Sequence, residues 1–155
     1  RMSKFVVIQD TREKNGWNFD IYDSCIGTLS KGLKTGDYTI EGREDFLIIE
    51  RKATTAELAL NLGKKRMQFE AELERMTFFQ YPYIICEFSE SRLMQFPRGS
   101  SIPKRRWRYL RMNGKFMRKK LHDYEEKYGV EIIFCENRHS AEEKAIEIFE
   151  KIVEA

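Results

Sequence analysis

The sequence lacks the residues that build a zinc centre or a disulfide framework. It has three cysteines and two histidines in 155 residues. Cys25, Cys86 and Cys135 show no C-x-x-C spacing, and two of them lie in apolar, strand-like runs. Buried, reduced thiols of an intracellular protein are the expectation. His122 and His139 are not spaced as metal ligands, which argues against a His/Cys zinc site. No apolar run is long enough to span a bilayer and no signal peptide is discernible, so no membrane association is expected. Arg1 ahead of Met2 reads as a leftover of expression.

Acid is missing from one long stretch. Between Ser91 and His122 there is no Asp or Glu, against eleven lysines and arginines. The net charge of the whole chain is +3, so those eleven charges leave −8 for the remainder. A basic block on an otherwise acidic domain points to a polyanionic partner, nucleic acid first. The block is poor in periodic signal and holds Pro97, Gly99 and Pro103 before Lys104, Arg105, Arg106, Trp107 and Arg108. Residues 89–112 are therefore expected to form a long basic loop or arm. Its arginines and lysines would neutralise phosphates and Trp107 would stack on unpaired bases. A solvated basic loop, or one that docks a partner protein, is the alternative.

What is present centres on Gly36 to Lys52. Gly36-Asp37-Tyr38, a turn at Glu41-Gly42-Arg43, and Phe46-Leu47-Ile48-Ile49-Glu50-Arg51-Lys52 read as a hairpin. The apolar run suggests a second strand covered on both faces. Side chains alternate along a strand, so Glu50 and Lys52 project together, about 7 Å apart, while Arg51 points away. An acid on one strand facing an acid and a lysine on the next can hold a divalent metal with an ammonium beside it. Metal-dependent phosphodiester hydrolases carry such equipment. Alternating acid and lysine at a strand end is otherwise an ordinary solvated face.

Around the hairpin the chain predicts a first strand over Lys4–Ile8 ending in Gln9-Asp10-Thr11-Arg12-Glu13, and an extended segment within Tyr22–Leu33. Thr54 or Thr55 caps a helix whose stripe is Leu58, Leu62, Phe69, Leu73 and Met76, with a break at Gly63. Pro82 ends that helix before a strand at Tyr83–Phe88. A helix over Lys115–Tyr128, a strand over Val130–Cys135 and a last helix capped by Ser140 with Glu143 complete the chain. Ala145, Phe149 and Ile152 would face the core. The order predicts a single α/β domain with a mixed central sheet flanked by helices.

Asp10-x-Arg12-Glu13, Gly36-Asp37-Tyr38 and Glu50-Arg51-Lys52, in this order, resemble the nuclease domain of the XPF-type structure-specific endonucleases, in the restriction-endonuclease-like superfamily. The similarity is closest to small stand-alone bacterial and phage members, through Trp17-Asn18-Phe19 and the charged helix from Lys65 to Arg75. It runs from Phe5 to about Glu87. Two features depart from it. The acid after the lysine is Glu57, one residue later than usual, and Glu70 stands where a glutamine often follows the helix arginine. No helix-hairpin-helix module follows within the sequence.

The resemblance implies a divalent-metal-dependent DNA endonuclease, choosing flapped, forked or branched DNA in repair, recombination or phage DNA processing. It would act in the cytoplasm, at the nucleoid or in a phage's host. Asp37 and Glu50 are expected as ligands of Mg²⁺ or Mn²⁺, with Asp10 joining directly or through water, and Lys52 orienting the attacking water or stabilising the phosphate. Glu13 is read as a further ligand or a water-positioning base. Arg12 either contacts phosphate or pairs with a site acid. Arg66 either reaches the site or pairs with Glu70. Trp17 is read as core packing. Family members often pair their nuclease domains, so a homodimer is considered. A non-catalytic DNA-binding module and a partner-dependent nuclease subunit are the competing readings.

Overall fold

The computed structural model describes residues 3–155. Arg1, read above as a leftover, and Met2 lie outside them. Six short segments form one sheet: β1 (Phe5–Gln9), β2 (Cys25–Ser30), β3 (Tyr38–Ile40), β4 (Leu47–Lys52), β5 (Tyr81–Cys86) and β6 (Glu131–Phe134). Their order is β2-β1-β3-β4-β5-β6. β3 lies antiparallel between β1 and β4, while β1–β2, β4–β5 and β5–β6 are parallel. The expected hairpin is thus β3–β4. Parallel neighbours need crossovers: α-helices supply those from β4 to β5 and from β5 to β6, on one face, while the β1–β2 connection has no helix.

The apolar run of β4 is buried on both sides. Ile48 packs under α1 (Thr55–Leu62), α2 (Arg66–Met76), α3 (Glu90–Met94) and α4 (Gly114–Tyr128). Leu47 and Ile49 pack on the other face, against α5 (Arg138–Glu154), Trp17 and Phe19. The predicted stripe of Leu58, Leu62, Phe69, Leu73 and Met76 is buried under α1 and α2. Each such side chain contributes about 1.5–3 kcal/mol by leaving water. The helix breaks at Gly63–Lys65, as the glycine suggests, and Thr54 is the cap, its hydroxyl accepting from Glu57 N at 3.0 Å. Ala145, Phe149 and Ile152 lie in the core. No helix among the described residues is long and apolar enough to cross a membrane.

Three local expectations are corrected. β5 begins at Tyr81 and contains Pro82. Tyr81 donates its N–H to Phe46 O on the β4 side, so the proline nitrogen faces the β6 side, which β6 reaches only from Tyr83 onward. No ladder bond is lost there. The last helix starts at Arg138: Asn137 is its cap, and Ser140 is the partner that reaches back, so Ser140 is not itself the cap. The arm is also not a loop throughout. It holds α3 and a 3-10 helix at Lys104–Tyr109, and Leu93, Phe96, Ile102, Leu110 and Met112 pack onto the α1–α4 core.

Candidate active site

Alternation along β4 sorts its charged end. Glu50 and Lys52 share the face of Ile48, toward α1 and α2, while Arg51 shares the face of Ile49. Lys52 Nζ lies 3.0 Å from Glu50 Oε2 and 4.0 Å from Glu57 Oε2. The ammonium is buried and sits 5.2 Å from the centre of the Phe69 ring. Burial lowers its pKa, but the surrounding acids outweigh that and raise it, so Lys52 is held charged.

Asp37 reaches Glu50 from the neighbouring strand end. Gly36 permits this approach. Its φ is +77°, and a Cβ there would fall 2.2 Å from Ile48 Cγ1. Asp37 N donates to Ile49 O, and Asp37 Oδ2 accepts from Arg51 N at 2.7 Å. Burial first, then the charge of Glu50, pushes the Asp37 carboxyl up to about 8. Glu50 is pushed up to about 7, by burial first, with Lys52 opposing and Glu72 adding to the rise. Two neighbouring carboxylates whose charge is disfavoured by burial and, at Asp37, by the other acid fit a divalent metal. All-oxygen donors suit Mg²⁺ or Mn²⁺, and Mg²⁺ keeps several waters of its own. Among the described residues no group of three His, Cys, Asp or Glu side chains is arranged around one metal position. Asp37 and Glu50 are the two carboxylates of this cavity that could hold such an ion.

The other predicted site residues are placed as follows. Asp10 Oδ1 accepts from Leu33 N at 2.8 Å and Oδ2 from Arg12 Nε at 2.9 Å. Burial raises the Asp10 pKa, but these donors outweigh it and hold it low. Asp10 borders the same cavity with both oxygens engaged. Arg12 is exposed and pairs with Asp10. Glu13 is turned away: its carboxylate binds Arg51 at 3.0 Å on the other face of β4. Arg66 is exposed at the start of α2 and makes no ion pair with Glu70, which accepts from Tyr124 OH at 2.6 Å. Trp17 is core, stacked on Tyr38 at 4.9 Å. In the arm, Lys104, Arg105, Arg106 and Arg108 are exposed. Trp107 is half-buried with its indole N–H on Ile102 O, and the exposed aromatic is Tyr109, with the Arg108 guanidinium over its ring at 4.9 Å.

Three residues that sequence reasoning passed over complete the cavity. Its volume is about 210 Å³, and Lys34, Glu72 and Arg75 border it with Arg12, Asp37 and Glu50. Glu72 and Arg75 flank Leu73 and Met76 at one edge of the α2 stripe, which was the available signal.

The raised acids carry a pH prediction. A carboxyl with a raised folded pKa contributes stability that is complete below its ordinary value of about 4 and is lost as pH rises through about 8. A metal held by these acids would displace those protons. The rise in Tm produced by Mg²⁺ or Mn²⁺ should therefore be larger at about pH 8.5 than at about pH 6. An equal or reversed difference would remove Asp37 and Glu50 as the seat.

The family model described as the ERCC4 domain matches residues 9–143. Two solved structures of XPF from Aeropyrum pernix, one described as a complex with DNA, share the fold at TM-scores of 0.66 and 0.65, each with 20% sequence identity. They cover 95% and 96% of this chain, which in turn spans 64% of the length of each. No curated protein matches the sequence.

Proposed function

The chain belongs to the ERCC4-domain family, and from that premise we propose that it is a divalent-metal-dependent DNA endonuclease selecting its substrate by DNA structure. The observation that carries this reading is half-buried Asp37 beside buried Glu50, with Lys52 Nζ 3.0 Å from Glu50. The A. pernix relative described in complex with DNA supports the choice of nucleic acid, as does the exposed basic face of the arm.

Asp37 and Glu50 would hold Mg²⁺ or Mn²⁺. When bound, the metal supplies charge to the phosphate and lowers the pKa of water. Lys52, kept charged by its acids, offsets negative charge that grows on the phosphate oxygens. Phe69 and the α1–α2 core exclude water from its other side. Lys104, Arg105, Arg106 and Arg108 contact phosphates away from the cut, and Tyr109 offers the ring for an unpaired base. Residues 3–155 act as one nuclease unit in this reading. Action in repair, recombination or phage DNA processing, and pairing into a homodimer, belong to the same proposal.

The test is cleavage of labelled single-stranded, duplex, flapped, forked and four-way DNA with and without each metal. Metal-dependent cutting, lost in Lys52→Ala, is expected, with a preference for junction-bearing substrates. DNA binding without cutting under either metal would favour a non-catalytic module or a partner-dependent subunit.

A further inference from the structure

Most cations near the cavity are already spoken for. Arg12 is on Asp10, Lys52 on Glu50, and Arg51 on Glu13 and Glu87. Arg75 is different. It borders the cavity beside Glu72, its neighbour one helical turn back, yet among the described residues no carboxylate pairs with it. Its Nε instead donates to Thr35 Oγ1 at 3.1 Å. Thr35 is buried and stands two residues before Asp37, in the turn that Gly36 fixes against Ile48. The guanidinium is therefore held by one edge, and its two terminal nitrogens make no hydrogen bond to the described residues. Lys34, also exposed and unpaired, borders the same opening.

An arginine fixed at Nε presents its two terminal N–H groups as a fork. That fork matches two non-bridging oxygens of a phosphodiester, and fixing it in advance reduces the rotamer freedom lost on binding. The metal seat and Lys52 already provide for the phosphate being cut. We propose that Arg75, anchored by Thr35 and assisted by Lys34, is the binding site for the DNA phosphate flanking the scissile one, and so positions the strand over Asp37 and Glu50. The proposal rests on the nuclease reading for its ligand, but not on cleavage for its test.

The experiment measures DNA affinity against salt in the Asp37→Asn background without metal, using single-stranded and flapped DNA. Arg75→Ala should weaken binding about tenfold, and the slope of log affinity on log salt should shrink by about 0.7 to 0.9, the loss of one phosphate contact. Arg75→Lys should restore the slope with only part of the affinity. Thr35→Val, which keeps shape and removes the anchor, should weaken binding about threefold with the slope unchanged. A scan of single neutral methylphosphonates should find one position, next to the cut, that weakens the Asp37→Asn parent and leaves Arg75→Ala indifferent. In otherwise native protein, Arg75→Ala should raise KM for cleavage more than it lowers kcat.

Unchanged affinity and slope in Arg75→Ala, with Tm preserved, would overturn the proposal. So would a methylphosphonate effect confined to the scissile phosphate itself. A fall in Tm with no methylphosphonate position shared with Arg75 would leave only a structural role. If the parent binds DNA but native protein does not cut, the nuclease reading fails while Arg75 is still tested; if it does not bind DNA at all, both fall.

Discussion

Asp37→Asn should reduce the single-turnover cleavage rate with Mg²⁺ by at least about 10²–10³-fold, and at the same time make the metal-free chain more stable at alkaline pH. The two effects have one cause. The amide keeps the volume of the acid, and its oxygen can still accept the Arg51 N–H that Asp37 accepts at 2.7 Å. What it loses is the negative charge that burial and Glu50 oppose in the folded state, and that a metal requires. At about pH 8.5 the native chain without metal holds that charge at a cost, whereas at about pH 5 Asp37 is protonated and the variant gains little. Thermal unfolding in a chelator at both pH values reads the stability. A variant that cuts within about threefold of the native rate would remove Asp37 from the chemistry. One that is less stable than the native chain at pH 8.5 would contradict the electrostatic account.

The largest expected effect on stability comes from the middle residue of the same triplet. Arg51→Ala should destabilise the fold by about 3–5 kcal/mol. Its guanidinium lies 3.0 Å from both Glu13 and Glu87, and all three side chains are almost fully buried. Arg51 also donates to Lys14 O and lies 5.9 Å from the Trp17 ring, while the Trp17 indole N–H donates to Glu87 at 2.7 Å. Truncation leaves two carboxylates without a counter-charge and a void against Trp17. Arg51→Lys should recover only part of the loss, because an ammonium cannot span both acids as the guanidinium does. Combining Arg51→Met with Glu13→Gln and Glu87→Gln should recover most of it. Denaturant midpoints read the series, and a loss below about 1 kcal/mol in Arg51→Ala would show that the cluster contributes little.

The contrast between Glu50, Arg51 and Lys52 was legible in the sequence because a strand has a period of two and this one is flanked by an unbroken apolar run. The partner of each outward group was not. Glu13 sits three residues past Asp10 and reads equally well as a site acid; Arg51 captures it from the opposite face, a long-range pairing that local pattern does not encode. Glu72 and Arg75 were hidden for a related reason. They lie on a helix face crowded with Lys64, Lys65, Arg66, Glu70 and Glu74, where only the tilt of α2 against the end of β4 decides which charges meet the cavity. The arm misled through its lack of periodicity. A 3-10 helix and a one-turn α-helix are too short to show a repeat, and their apolar anchors, Leu93, Phe96, Ile102 and Leu110, are spaced by the path of the chain over the core.

Those anchors change what an encounter with DNA would involve. The basic segment is folded before any ligand arrives, seated on the same core that buries Leu58 and Met117. A segment that orders only on contact gives up chain entropy at that moment and shows it as a large negative heat-capacity change. Here the cationic face is set out in advance. Association should therefore be governed by counterion release and by the fit of the DNA's own shape to a rigid surface, which is a physical basis for discriminating bent or branched DNA from a uniform duplex.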